Sequence, residues 1–294
     1  MNLLQKERKA VEFIRRASDL ALSMSDDGFH VAFSGGKDSQ VLYHLMELSG
    51  CKFTAQMQVT TVDPPQLMQF VRKQYPDVQL HLPQKNMRTL ILEKGMLPRR
   101  NVRYCCQELK EYAGTGHCVC VGIRAAESHN RAARKPIEIQ SKRKPIYKPD
   151  YQIEGDKLVE KIESFDLFDV KSESVVTCVG GKDKIILSPI FSWTDNDVWT
   201  FIRGNGIPYC ELYDMGYHRI GCLFCPMASK REKARTYKHF SRFADKFYIP
   251  IIRKLMEQGR YTSFDSAEDV FRWWIDRDDK ETWQAKQSHP KIQF

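Results

Sequence analysis

Between residues 5 and 24 the apolar positions Val11, Ile14, Leu20 and Leu22 are set among lysines and arginines, a helical spacing that stops at the polar stretch Ser25–Gly28. An amphipathic N-terminal helix is expected. Phe29–Phe33 then reads as a short buried strand, and Val41, Leu42, Leu45, Met46 and Leu48 recur at helical spacing behind the glycine-rich turn Ser34–Ser39. That turn therefore joins a strand to a helix. Phe53–Val62 reads as a second strand, Pro65–Gln74 as a helix, Val78–Leu82 as a third strand and Val119–Val121 as another. The alternation predicts an α/β fold, a mostly parallel twisted sheet flanked by helices, in which ligands bind beyond the carboxyl ends of the strands.

From about residue 134 to 184 the pattern changes to a basic, proline-punctuated run and then a mixed-charge segment, which reads as an insertion or cover. From about 236 helical patterning returns. Tyr237, Phe240, Phe243, Phe247, Tyr248, Val270, Phe271, Trp273 and Trp274 recur there as packing positions of a helical C-terminal region. The expected division is an α/β domain over 1–235, carrying the glycine-rich turn, the N-terminal helix and the basic insertion, and a helical region over 236–294. No fixed-period repeat or low-complexity tract interrupts it.

Hydrophobic residues make up 42% and charged residues 28% of the 294, ordinary globular usage that excludes a disordered, collagen-like or small disulfide-framework chain. Lysine and arginine exceed aspartate and glutamate by 46 − 37 = 9, so the surface should attract polyanions. No run reaches the roughly 18 apolar residues that span a bilayer, and residues 1–16 break their apolar positions with charge. A cytoplasmic, membrane-free protein is expected. In that compartment nine cysteines point to metal or thiol chemistry before structural disulfides.

The turn Ser34-Gly35-Gly36-Lys37-Asp38-Ser39 can converge backbone N–H groups on an anion at the positive end of a helix. Its glycines permit the tight turn, Ser34 and Ser39 offer hydroxyls, Lys37 supplies charge, and Asp38 could orient the loop or a Mg²⁺ ion. It is not a Walker loop, because G-x-x-x-x-G-K-[ST] is absent. Arg124 and Arg131 lie just beyond a predicted strand, where a guanidinium could hold phosphate or sulfate oxygens. Glu127 between them suits a metal or a helix cap equally.

Cys105 and Cys106 are adjacent, and Cys222-Leu223-Phe224-Cys225 forms a C-x-x-C. Four thiolates can complete a [4Fe–4S] cube or a tetrahedral zinc site. Neighbouring side chains diverge, which suits separate irons better than one zinc ion; free thiols or a redox disulfide remain alternatives. Cys51, Cys118, Cys120, Cys178 and Cys210 read as small apolar packing residues, with Cys118 and Cys120 on one buried strand face.

Ser34, Gly35, Gly36, Asp38 and Ser39 match the SGGxDS fingerprint, and the chain resembles the PP-loop ATP pyrophosphatases of the adenine nucleotide alpha hydrolase-like fold. The resemblance implies ATP cleavage between the α- and β-phosphates, with Lys37, Asp38 and Arg124 in catalytic roles. Within that superfamily, residues 28–230 resemble the phosphoadenosine-phosphosulfate reductase family. The matching islands are Gly122–Ser128 with Arg131, Pro189–Trp199, Ile207–Tyr209 and Tyr213–Cys222. By analogy Gly122, Arg124 and Arg131 face the nucleotide and Thr61, Val62 and Asp63 border the adenosine. Cys105, Cys106, Cys222 and Cys225 resemble the CC…CxxC ligand set of iron–sulfur adenosine-phosphosulfate reductases, which implies a [4Fe–4S] cluster.

Sulfonucleotide reductases attack sulfate sulfur with a cysteine in a C-terminal E-C-G-[IL]-H segment, and this sequence has no cysteine after Cys225. A second branch, which includes RNA thiolation enzymes and the iron–sulfur ATP pyrophosphatases of DNA phosphorothioation, uses ATP and Mg²⁺ to adenylate an oxygen and then replaces it with sulfur. Resemblance to that branch implies pyrophosphate release and sulfur from the cluster or from a persulfide partner such as a cysteine desulfurase. A nucleic acid is one acceptor it allows. The basic positions Lys142, Arg143, Lys144, Lys148, Lys230, Arg231, Lys233 and Arg235 could guide a nucleic-acid backbone or form solvated faces. Reduction of adenosine phosphosulfate or phosphoadenosine phosphosulfate to sulfite, and a non-catalytic nucleotide-sensing or nucleic-acid-binding subunit, are the alternatives. The oligomeric state is open.

Overall fold

Phe29–Phe33 (β1) pairs in parallel with Phe53–Gln58 (β2) on one side and with Cys118–Cys120 (β4) on the other. In this computed structural model, which describes residues 1–111, 113–141, 152–154, 157–159, 176–180 and 184–276, β1 is thus an interior strand. Its Phe29, His30, Val31 and Phe33 are all buried, as an interior parallel strand covered on both faces requires. Gln79–His81 (β3) adds in parallel beyond β2, and Lys184–Leu187 (β9) in parallel beyond β4. Ile137–Ser141 (β5) then runs antiparallel to β9 and parallel to Val176–Gly180 (β8). The sheet order is β3-β2-β1-β4-β9-β5-β8, with a separate ribbon of Gln152–Glu154 (β6) and Lys157–Val159 (β7).

This order reverses direction at β1. The chain leaves β1 through helix Lys37–Ser49 (α3) toward β2 and β3, then returns to place β4 on the opposite side. A crevice opens at such a switch point beyond the strand ends, between the segment after β1 and the segment after β4.

The described residues form two compact units, Met1–Gln58 with Pro65–His81 and Tyr112–Ile220, and Val59–Pro64 with Leu82–Glu111 and the residues from Gly221 on. The first holds the sheet, Leu3–Arg16 (α1), Ser18–Met24 (α2), α3, Pro65–Gln74 (α4), His129–Ala132 (α7) and Asp195–Gly204 (α8). The second is built from Met87–Lys94 (α5), Tyr104–Leu109 (α6), Lys230–Phe243 (α9), Ile249–Glu257 (α10) and Ala267–Asp276 (α11). Its core includes Ile91, Leu97, Phe224, Tyr248, Ile252 and Phe271. Rings of Phe224, Phe271 and Trp274 surround Tyr248 at centroid distances of 5.7, 5.9 and 5.0 Å, so the aromatic spacing of the C-terminal region is packing.

Several expectations need correction. The N-terminal helix is two helices broken at Ala17, whose ψ of 2° leaves the helical range. The second strand stops at Gln58, because the Asp63 carboxylate accepts from the Thr60 N–H at 2.6 Å and from its hydroxyl at 2.8 Å, closing a turn in place of a ladder. The segment after 134 is not simply a cover, since β5 and β8 extend the sheet. Lys142, Arg143, Lys144 and Lys148 lie outside the described residues. Helical structure resumes at Lys230, where Ser229 and Glu232 form a capping box. Among the described residues no helix is long and apolar enough to cross a membrane.

Candidate functional site

The loop after β1 is held by contacts that leave no room for a side chain at Gly35. Gly35 has φ +69°, and a Cβ there would lie 2.6 Å from Leu67 Cδ1 and 2.7 Å from Val71 Cγ2 of α4. A Cβ on Gly122, just past β4, would lie 2.8 Å from the Asp38 carbonyl oxygen. Backbone thus packs directly on backbone across the switch point. The Ser39 hydroxyl accepts from the Ser34 N–H at 3.1 Å and donates to the Gly36 carbonyl at 2.9 Å. Ser39 therefore shapes the loop from inside.

Gly36 is the N-cap of α3 and has no side chain to cap it, which leaves the first-turn N–H groups facing outward. The Lys37 N–H donates to the Tyr213 hydroxyl at 2.7 Å. Among the described residues, the N–H groups of Asp38 and Ser39 make no hydrogen bond. Two backbone donors and the positive helix end are the ingredients of an anion cradle, with the Tyr213 hydroxyl on the third donor. Burial pushes the Tyr213 phenol up from its ordinary value, so it stays protonated.

Charge around the cradle is tightly matched. Arg124 is buried; its Nε donates to Asp38 Oδ1 at 2.6 Å, its Nη2 to Asp195 Oδ1 at 2.9 Å and its Nη1 to the Trp193 carbonyl at 3.3 Å. Lys37 is also buried, with Nζ 3.2 Å from Asp195 Oδ1, 3.6 Å from Asp38 Oδ2 and 3.2 Å from the His218 carbonyl. Burial works to raise the Asp195 carboxyl, but Lys37 and then Arg124 outweigh it and hold it below its ordinary value. Arg124 thus braces the loop through Asp38. Glu127 accepts from the Arg124 N–H at 3.1 Å and pairs with Arg131, the cap arrangement of the two its sequence position allows. Burial, then the nearby Arg219, lowers Arg131 despite that pairing.

Tyr213 and Asp195 were not singled out from sequence. Both lie in islands that could have revealed them, Tyr213 opening the Y-D-x-G run and Asp195 following Trp193-Thr194. Tyr213 is propped edge-on by Trp199 at 5.0 Å between centroids.

Thr61, Val62 and Asp63 belong to the second unit. Thr61 Oγ1 accepts from the Met87 N–H at 2.9 Å, the Val62 carbonyl accepts from the Leu223 N–H at 2.8 Å, and Asp63 closes the Thr60 turn. All three therefore organise the backbone around the cysteines. Cys105 and Cys106 sit in the first turn of α6; Cys222 and Cys225 flank a turn in which Phe224 has φ 57° and the Cys225 N–H donates to the Cys222 carbonyl at 3.2 Å. The Cys222 thiol donates to Thr60 Oγ1 at 3.3 Å.

The four thiols share one electrostatic neighbourhood. A hydrogen bond with Cys106, then burial and the other three thiols, pushes Cys105 up. The reciprocal bond from Cys105, helped by Lys110 and Arg103 against burial, brings Cys106 down to about 6. Cys222 first, then Asp63, holds Lys110 above the ordinary lysine range in spite of desolvation. All four are free cysteines. Among the described residues no group of three or more His, Cys, Asp or Glu stands ready-made for a metal ion. Four soft thiols beside a cation fit a metal–thiolate group in donor type and number, without a preformed polyhedron. Cys118, Cys120 and Cys210 are buried apolar residues and Cys51 is half-buried, while the Cys178 side chain lies outside the described residues.

In the basic run near 230, Lys233 departs from expectation. It is buried and donates to the Trp274 carbonyl at 3.3 Å.

A glycine loop of this sequence, at the switch point of a mostly parallel sheet flanked by helices, defines the PP-loop class of nucleotide-binding proteins. The phosphoadenosine phosphosulfate reductase domain matches residues 28–228, and the chain belongs to that family. Two uncharacterised proteins of Methanocaldococcus jannaschii are each 25% identical to it, over 273 and 283 residues. Each match covers 91% of this chain but 56% and 49% of the relative, so the chain spans about half the length of those curated relatives. An adenosine 5'-phosphosulfate reductase of Oceanobacillus iheyensis is 49% identical over 41 residues, 14% of this chain and 17% of its own. Among solved structures, the phosphoadenylyl-sulfate reductase of Candida auris in its phosphate complex aligns with a TM-score of 0.44 and 17% identity, over 72% of this chain and 87% of that one. The FMN adenylyltransferase of Candida glabrata, in complex with FMN and an ATP analogue, aligns at 0.41 and 15%, over 75% and 64%.

Proposed function

We propose that the first unit binds ATP with its β- and γ-phosphates on the loop and exposes the α-phosphate to an acceptor oxygen. The observation that carries this reading is the pair of unbonded N–H groups on Asp38 and Ser39 at the N-terminus of α3. Attack at the α-phosphorus forms the acceptor–AMP ester, breaks the bond to the bridging oxygen and releases pyrophosphate. Lys37 offsets charge growing on the leaving group, while Arg124 fixes Asp38 and hence the loop. Both carboxylates here are already matched by cations, so Mg²⁺ would arrive on the phosphate oxygens of the nucleotide.

In this reading the outer sulfur of a persulfide donor protein is released as hydrosulfide when a dithiol reductant is oxidised to its disulfide, and that hydrosulfide then displaces AMP from the activated acceptor. Cys105, Cys106, Cys222 and Cys225 are the residues that would hold a [4Fe–4S] group, with zinc the alternative. Such a cluster would supply electrons or sulfide. Lys110 would offset the negative charge of the thiolates.

A second reading, reduction of a sulfonucleotide to sulfite, is favoured by the family domain and by the short stretch shared with adenosine 5'-phosphosulfate reductases. The two are separated by incubating anaerobically prepared protein with ATP, a sulfide or persulfide donor and nucleic acid, and in parallel with adenosine phosphosulfate and thioredoxin. Sulfur gained by the nucleic acid, read by mass, supports the first reading. Sulfite in the parallel reaction with no sulfur gain replaces it with the second.

A further inference from the structure

The second unit contains a cavity of about 600 Å³ whose walls include Arg99, Arg100, Lys230, Lys233, Trp273 and Trp274. Four cationic side chains face one carboxylate on that wall, Asp276, which lies 3.6 Å from Lys230. The cations are laid on the indoles: the Arg99 guanidinium is 5.1 Å from the Trp273 centroid, and Lys233 Nζ is 5.8 Å from that of Trp274. Arg100 is exposed and has no ion-pair partner among the described residues. Among the described residues, the buried Trp273 Nε1 has no hydrogen-bond acceptor.

Such a wall suits a ligand that combines phosphate charge with planar rings. The cavity falls in the usual size range for small ligands, roughly 300–1,000 Å³. Base faces are available to indole and guanidinium only in an unpaired strand, because a duplex hides them in its stack. Arg99, Arg100 and Pro226 lie inside the family domain, and the rest of the wall lies outside it. Lys230 and Lys233 come from α9, and Trp273, Trp274 and Asp276 from α11, all beyond residue 228 where the family domain ends. Pro226, another wall residue, directly follows Cys225, so the cavity adjoins the cysteine turn.

We propose that this cavity seats a nucleotide of a single-stranded nucleic acid, with phosphate on Arg100 and Lys230 and a base against the Arg99–Trp273 pair. The inference deepens the sulfur-transfer reading by assigning its acceptor class. The test is fluorescence anisotropy of a labelled oligothymidylate titrated with the full chain, without ATP, at low and physiological salt. Arg100→Ala and Lys230→Ala should each weaken binding and flatten the log–log salt dependence by about 0.7. Lys73→Ala, an exposed cation of α4, should change neither.

Unchanged affinity and slope in both cavity variants would overturn the assignment. Competition by thymidine monophosphate as strong as by the oligonucleotide would move the site to a free nucleotide, and equal competition by duplex would reject base stacking; either overturns it. Since no ATP is present, failed pyrophosphate release leaves this result standing, and failed strand binding leaves nucleotide cleavage untouched.

Discussion

The Tyr213 hydroxyl lies 2.7 Å from the Lys37 N–H, on the first peptide of α3, where an incoming phosphate oxygen would otherwise accept. An anion entering the loop must displace this hydroxyl or take its proton as a hydrogen bond. Displacement predicts that Tyr213→Phe binds pyrophosphate more tightly, by about 1 kcal/mol or roughly fivefold in calorimetry, while losing about 1 kcal/mol of folding stability. Weaker binding in the variant would make the hydroxyl a member of the cradle.

Arg124 is the brace between the segments that follow β1 and β4. Arg124→Ala leaves Asp38 beside Lys37 alone, and urea unfolding should register a loss of about 3 kcal/mol, tempered by the exposure of Asp195. Arg124→Lys keeps charge but not the fork, so ATP affinity should fall while most stability is retained. Equal stability in all three proteins would contradict the bracing role.

A pH dependence follows from His30, which burial first, then His117, Lys184 and His81, brings from 6.5 down to about 4. The unfolded chain binds the proton more readily, so this contribution is complete above about pH 6.5 and lost as pH falls toward 4. A shift of this size is worth about 3 kcal/mol in full. Unfolding free energy of wild type should drop across that window more steeply than that of His30→Gln; parallel curves would remove His30 as the cause.

For the cysteines, anaerobically purified protein should carry iron and absorb broadly in the visible, and Cys105→Ser or Cys222→Ser should abolish both. Cys118→Ser, in the sheet interior, should keep them. A colourless sample with stoichiometric zinc would reverse the choice of metal.

The strand Phe29–Phe33 and the loop after it are legible because a parallel strand buried on both faces reads as an apolar run and because SGGKDS has few structural meanings. Helix Pro65–Gln74 matched to the residue. The strand Lys184–Leu187 was missed, since four residues after a charged segment carry too little period to separate strand from loop. Thr60 and Asp63 ended β2 early through a side-chain bond that apolar spacing does not encode. At the site the sequence identifies Lys37, Asp38 and Arg124, but neither Asp195 nor the pairing among the four. The motif that marks Arg124 as a phosphate ligand does not encode its hydrogen bonds to Asp38 and Asp195, 86 residues before and 71 after it. The cation-lined cavity is likewise assembled from distant segments, Arg99 and Trp273 among them, and no local motif announces it.

In the proposed reaction the α3 N-terminus holds the departing half of ATP. Products formed by the full, anaerobically prepared chain from ATP labelled at the α-phosphate decide it. Labelled AMP or an AMP-bearing acceptor with stoichiometric pyrophosphate is the expected outcome, lost in Asp38→Asn; labelled ADP with free phosphate would rule it out.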